Sequence, residues 1–154
     1  MNRATYLREL ATAYQGEVRG EAMFRTLAAR AGDDTAAETW RTLAKLEAAT
    51  RERLLPLLRR HGLNTSPDPG QQQLGVERGE ARAALGLGGA VRAMSESLPK
   101  YLKLYAELAA TGPAEDGDGL TFLHAHEIAL QQFCARRIAG REDALAPVLA
   151  LLGA

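Results

Sequence analysis

The chain has 154 residues, enough for one domain with a full core. Lys plus Arg and Asp plus Glu balance at 19 each, with no basic arm, so nothing in the charge points to nucleic acid. Aromatic residues, at 5%, are too few for base-stacking platforms, and no apolar run approaches the ~18 residues of a membrane span.

The N-terminal MNRATYLRELATAYQGE has no secretory apolar region, and the lone Cys134 cannot close an intrachain disulfide. A cytoplasmic protein is therefore expected, with Cys134 a small buried hydrophobe. Asn2 to Ala31 reads as one helix, capped by Thr5 or Asn2. Gly16 and Gly20 each cost ~1 kcal/mol against Ala in a helix interior. Beside Glu17 they read as room for a close approach rather than as breaks. Gly32 closes this helix, and Asp33 or Asp34 caps the next, Thr35 to Arg60, which Pro56 kinks late. Its closing LLRRHG suits the helix macrodipole, so His61 reads as a C-terminal cap.

Residues 62–75, GLNTSPDPGQQQLG, form the one true linker. Val76 to Leu85 predicts a short helix and Gly88–Gly89 a break. Ala90 to Ala110 then predicts a further helix, in which Pro99 opens a new turn. Asp118 caps a helix from Gly119 to Ala139, Gly140 stops it, and residues 142–152 make a short amphipathic tail helix. No strand alternation occurs anywhere. The reading is one all-α domain, 1–154, with helical hairpins at about 3–61 and 89–139, linker 62–75 and tail helix 142–152.

Glutamates stand where apolar residues belong. The inner line of the first helix is Leu10, Tyr14, Glu17, Glu21, Phe24, Ala28, and that of the second is Trp40, Leu43, Glu47, Thr50, Leu54, Leu57. The last helix gives Leu120, His124, Glu127, Gln131, Cys134, Ile138, on which His126 points away and reads as an interhelical or surface histidine. The third region gives Met94, Leu98, Tyr101, Tyr105, Leu108, whose polar members are phenols. Counting outward from the hairpin turns, both taken to lie at one end, brings Glu21, Glu47 and Glu127 to one height with Glu17 a turn deeper. A carboxylate in such a core costs several kcal/mol unless paired, protonated or bound to a metal. The simplest compensation is a hydrogen-bonded network with Tyr14, Thr50, Tyr101, Tyr105 and nearby arginines, one or two glutamates being held neutral.

On these residues the chain resembles the ferritin-like superfamily, within the rubrerythrin and di-iron-carboxylate relatives, over about Ala4 to Ala139. The resemblance implies a ferritin-like four-helix bundle with a long crossover connection and short extra helices, the helices running up-down-down-up or up-down-up-down. It implies a metal site of Glu17, Glu21, Glu47, His124 and Glu127, with Tyr14, Thr50, Tyr101 and Tyr105 behind it, holding two iron or manganese ions. The activity implied is that of a dinuclear carboxylate oxidase or oxygenase acting on a small molecule. The chain departs from the family's Glu-x-x-His pattern: Thr50 and Leu130 stand at the two histidine positions, and His124 precedes Glu127 instead of following it. The alternative is a non-enzymatic bundle that holds no metal and serves as an interaction or small-ligand-binding module. A homodimer through the tail helix or residues 90–108 fits either reading; no nucleic-acid or membrane partner is expected.

Overall fold

Side-chain caps open the first two helices. In the computed structural model, which describes residues 1–153, the Asn2 side chain accepts from the Thr5 N–H at 2.8 Å and starts α1, Arg3–Ala29. Asp33 accepts from the Ala36 N–H at 2.7 Å and starts α2, Asp34–Arg60. Helices α3 (Pro69–Ala83), α4 (Gly86–Thr111), α5 (Gly117–Ile138) and α6 (Ala146–Leu152) follow. A 3-10 turn at Ala114–Asp116 precedes α5. The protein is all-α, with no strand among the described residues and no helix long and apolar enough to cross a membrane.

Several boundaries differ from those the sequence suggests. Asp68 caps α3 and Pro69 occupies its first turn, where a missing N–H costs nothing, so the helix begins inside the expected linker. The break before α4 falls at Gly86, whose φ of 74° only glycine adopts freely, and Gly88 and Gly89 lie within the helix. A Cβ on Gly89 would lie 2.7 Å from that of Leu85, so this glycine permits the tight entry. Pro99 does not divide α4: Met94 and Leu98 on one side and Tyr105 and Leu108 on the other are buried on one face and carry the helix through it. Asp118 sits in the first turn of α5, and the preceding Asp116 makes no cap bond there because its carboxylate is engaged elsewhere.

Contacts fix the helix directions. Phe24 stacks on Trp40 at 6.0 Å while Glu17 reaches Glu47, so α1 and α2 are antiparallel. Gly119 of α5 lies against Leu57 and His126 is level with Glu47, so α5 runs against α2. Tyr105 of α4 meets Glu17, and Tyr101 meets Arg19 two residues further along α1, so α4 runs against α1. The order is therefore up-down-down-up for α1, α2, α4 and α5. The two hairpin turns lie at opposite ends, which corrects the expectation that they share one.

The reason is α3. It runs ~22 Å back along α1, in the same direction, and delivers the chain to the far end. Two glycines let it lie close: a Cβ on Gly75 would strike the Arg19 carbonyl, and one on Gly79 would fall 2.7 Å from the Thr26 Cβ. With α3 on its flank, α1 touches α4 only sparsely, and a cleft remains between them.

The core is divided along its length. One apolar cluster, including Phe24, Trp40, Leu43, Met94 and Phe133, is closed by Val148 of α6. The other includes Leu10, Leu54, Leu58, Leu108 and Leu123. Between them runs a polar layer.

Candidate metal centre

Glu17, Glu47, His126 and Glu127 make up that layer, at 2%, 5%, 0% and 4% exposure. Each of α1, α2 and α5 brings its polar residue in on a line of apolar neighbours, so packing on both sides fixes the side chains. The His126 Nε2 lies 3.1 Å from Glu17 Oε2, 3.4 Å from Glu127 Oε2 and 3.8 Å from Glu47 Oε2. Its Nδ1 meets the Leu123 carbonyl, an acceptor only, so Nδ1 carries the proton and in the neutral ring Nε2 presents its lone pair to the carboxylates. Nε2 and Glu17 Oε2 are buried without a hydrogen-bond partner among the described residues. Gly20 makes space for the arrangement: a Cβ there would stand 2.9 Å from Glu47 Oε2.

Crowding and desolvation resist ionisation. Burial, then the Glu127 charge, pushes the Glu17 carboxyl up to about 8 against the pull of Glu47 and Tyr105. Burial first, then the charge of the adjacent Glu17, holds Glu47 well above the usual carboxylate range. Burial pushes Glu127 up to about 7, with His126 pulling the other way. The Tyr105 phenol, which donates to Glu17 Oε1 at 3.3 Å and stacks on His126, is pushed up by burial and then by the three glutamates. Such a layer is satisfied by protons or by a cation. Donor atoms of Glu17, Glu47 and His126 all lie within 4.8 Å of one another, and this buried Glu/His group can hold a metal ion. An imidazole lone pair among carboxylate oxygens is a donor set that a divalent metal accepts.

The structure brings together Glu17, Glu47 and Glu127 from the expected set and sets two members apart. Glu21 turns to Arg25 and Arg51, at 2.6 and 3.1 Å, which already neutralise it. His124 is half-buried and forms no hydrogen bond or ion pair among the described residues, while His126, expected to point away, supplies the imidazole. The cause is a rotation of α5. Its buried line is Leu120, Leu123, His126–Glu127, Leu130 and Phe133, leaving Gln131 and Ile138 exposed. Leucines three before and four after His126 were the available signal. Of the four residues expected behind the layer, Tyr105 alone reaches one of its carboxylates among the described residues. Tyr14 donates to the Thr65 carbonyl at 2.7 Å, Thr50 donates to Leu46 in its own helix, and the Tyr101 hydroxyl accepts from Arg19 at 3.1 Å.

The layer forms the floor of a 330 Å³ cavity that opens between α1, α3 and α4, so Glu17, Glu47 and Glu127 are reached from outside by that route. A second acidic group, Asp116 with Glu115 and His61, is of another kind. The buried Asp116 carboxylate accepts from Tyr6 and Arg60, each at 2.5 Å, and pairs with His61 at 2.6 Å, so its oxygens are satisfied and clasp the end of the fold.

No protein-family model matches the chain, and neither a curated protein nor a solved structure matches it.

Proposed function

We propose that this is a ferritin-like metal-binding protein in which Glu17, Glu47, Glu127 and His126 hold an iron or manganese ion. The observation that supports this most is the His126 ring: one nitrogen is fixed by a backbone carbonyl, and the other is unpartnered, fully buried and directed at three carboxylates. Dispensing with a metal leaves two acceptor atoms 3.1 Å apart unless a proton intervenes. Three carboxylates and one imidazole suit a single ion; a second ion needs Glu21 to leave its arginines.

Iron or manganese in such a shell supplies redox chemistry, which makes an oxidoreductase acting on a small molecule the activity of choice. The chain's own residues would orient and protect that chemistry. Tyr105 fixes one oxygen of Glu17, the raised glutamates can take up protons at neutral pH, the two apolar clusters exclude water, and the cavity admits a substrate.

The test is elemental analysis of tag-free protein before and after anaerobic loading with Fe(II) or Mn(II). One ion per chain, lost in His126→Ala and Glu47→Ala, is the expected result; two per chain would restore the dinuclear form of the reading. No bound ion, with an unchanged melting temperature, would overturn it and leave a helical module that works without metal.

A further inference from the structure

Charge in the cavity is arranged in two tiers. The floor is acidic, as described, but Arg19, Arg78, Arg82 and Lys100 stand around the opening, and none is ion-paired among the described residues. Arg82 is the most telling. It is half-buried on α3, and its hydrogen bond goes to the thioether of Met23 at 3.1 Å, a weak acceptor for a guanidinium. Burial and the neighbouring Arg78 push it below its ordinary value. Among the described residues Arg19 reaches only the neutral Gln71 amide, at 2.7 Å, and the Tyr101 hydroxyl. Burial pushes the Tyr101 phenol up, yet the charges of Arg19 and Lys100 beside it outweigh burial and leave it below its usual value. Met23, Phe24, Met94, Leu98 and Leu130 give the cavity an apolar wall, beside the polar Ser97, Tyr101 and Tyr105.

We infer that the cavity binds a small organic anion, a carboxylate or phosphate monoester with an apolar body, head outward on Arg82, Arg78 and Arg19 and tail inward along the apolar wall. Guanidinium groups match the planar oxygen pairs of such heads, and unpaired half-buried ones gain most from meeting them. The floor offers an anionic head no cationic side chain, whereas the opening offers several, so the placement of the cations sets the direction of entry and leaves the uncharged end facing Glu17, Glu47 and Glu127. The volume is at the lower end of the ~300–1,000 Å³ of small-molecule sites, which limits the body to one ring or a short chain. This goes beyond the metal reading, because opening and wall hold the anion whether or not the floor holds an ion. Only the anion's role as substrate rests on that reading.

The experiment is calorimetric titration of the full chain in EDTA at low salt, with octanoate, phenyl phosphate and neutral octanol as probes. Saturable one-to-one binding of octanoate or phenyl phosphate is expected, with octanol at least tenfold weaker, and the tighter anion identifies the head group. Arg82→Gln should weaken anion binding roughly tenfold or more and leave octanol unaffected. Exposed Arg78→Gln should act in the same direction and serves as the variant that cannot disturb packing. Absence of saturable binding by both anions would overturn the inference, as would equal affinity for octanoate and octanol. Unchanged octanoate affinity in both arginine variants would overturn it as well. Because metal is chelated throughout, failure here is separate from failure of the metal loading described above.

Discussion

His126 Nε2 and Glu17 Oε2 face each other across 3.1 Å, each buried and each without a hydrogen-bond partner among the described residues. Glu17→Gln puts an amide donor where the lone pairs meet and keeps an oxygen for Tyr105. In metal-free protein it should raise stability by about 1–3 kcal/mol, because a neutral amide escapes the cost of keeping a buried carboxyl protonated at pH 7. The same substitution should remove the melting-temperature rise produced by Mn(II). Thermal melts with and without Mn(II) measure both effects, and lower stability of the metal-free variant would contradict the arrangement.

Stability of the metal-free protein should fall as the pH rises from about 4 to about 8. Glu17 and Glu127 are pushed up to about 8 and about 7 by burial, whereas an unfolded chain ionises its glutamates near about 4.3. The folded state keeps protons the unfolded state has released, so their contribution is complete below about pH 4 and is lost as the pH climbs through the folded values. A bound cation displaces these protons, so the stabilisation by Mn(II) should grow over the same interval. Calorimetric melts across this range provide the check; a Tm independent of pH would count against protonated glutamates in the core.

Gly20→Ala should damage the centre more than the fold. The added methyl would stand 2.9 Å from Glu47 Oε2 and force that carboxylate aside. Alanine's better helix propensity offsets about 1 kcal/mol of the crowding, so a net change within about 1 kcal/mol is expected. Affinity for Mn(II) should drop tenfold or more, as for other residues that orient metal ligands. Paramagnetic titration of Mn(II) alongside urea unfolding separates the two effects.

Asp116→Asn should destabilise by about 3 kcal/mol, since it leaves Arg60 and His61 without the carboxylate they converge on. Burial alone would push the Asp116 carboxyl up, but hydrogen bonds from Tyr6, His61 and Arg60 outweigh it and hold it below the usual range. Its stabilisation is thus present above the ordinary aspartate value and disappears as the pH falls through the lower folded one. Wild-type protein should lose stability in acid over that interval and the variant should not, as read from urea midpoints.

The inner faces of α1 and α2 were legible in the amino-acid order because the lines at three-and-four spacing lie at the centre of each buried face, although Val18, Met23 and Leu27 of α1 and Leu46 and Leu58 of α2 are buried beside them. Every residue of the Trp40-to-Leu57 line is buried, and the first line departs only at its end, where Ala28 is half-buried. In α5 two lines compete, since Leu123, Ala129, Leu130 and Phe133 are as apolar as Leu120, Cys134 and Ile138. Glu127 satisfies either phase, so it was found, while the choice between His124 and His126 depended on a rotation that only neighbouring helices decide. Glu21 shows a different limit: its helix position is right, but Arg51, on the next helix, reaches it first. Gly88, Gly89 and Pro99 read locally as punctuation, and burial along α4 overrides them.

The up-down-down-up order has a consequence for how the chain reaches its native state. Glu17 and Glu47 belong to the first hairpin and His126 and Glu127 to the second, about eighty residues further along. Each hairpin alone carries half of the buried polar layer, and the halves meet only after α3 has crossed and the hairpins have docked. Loop closure over that distance is slow compared with forming either hairpin. Occupancy of the centre would therefore report the last step of folding, and an ion seated there would act chiefly on the rate at which the hairpins come apart.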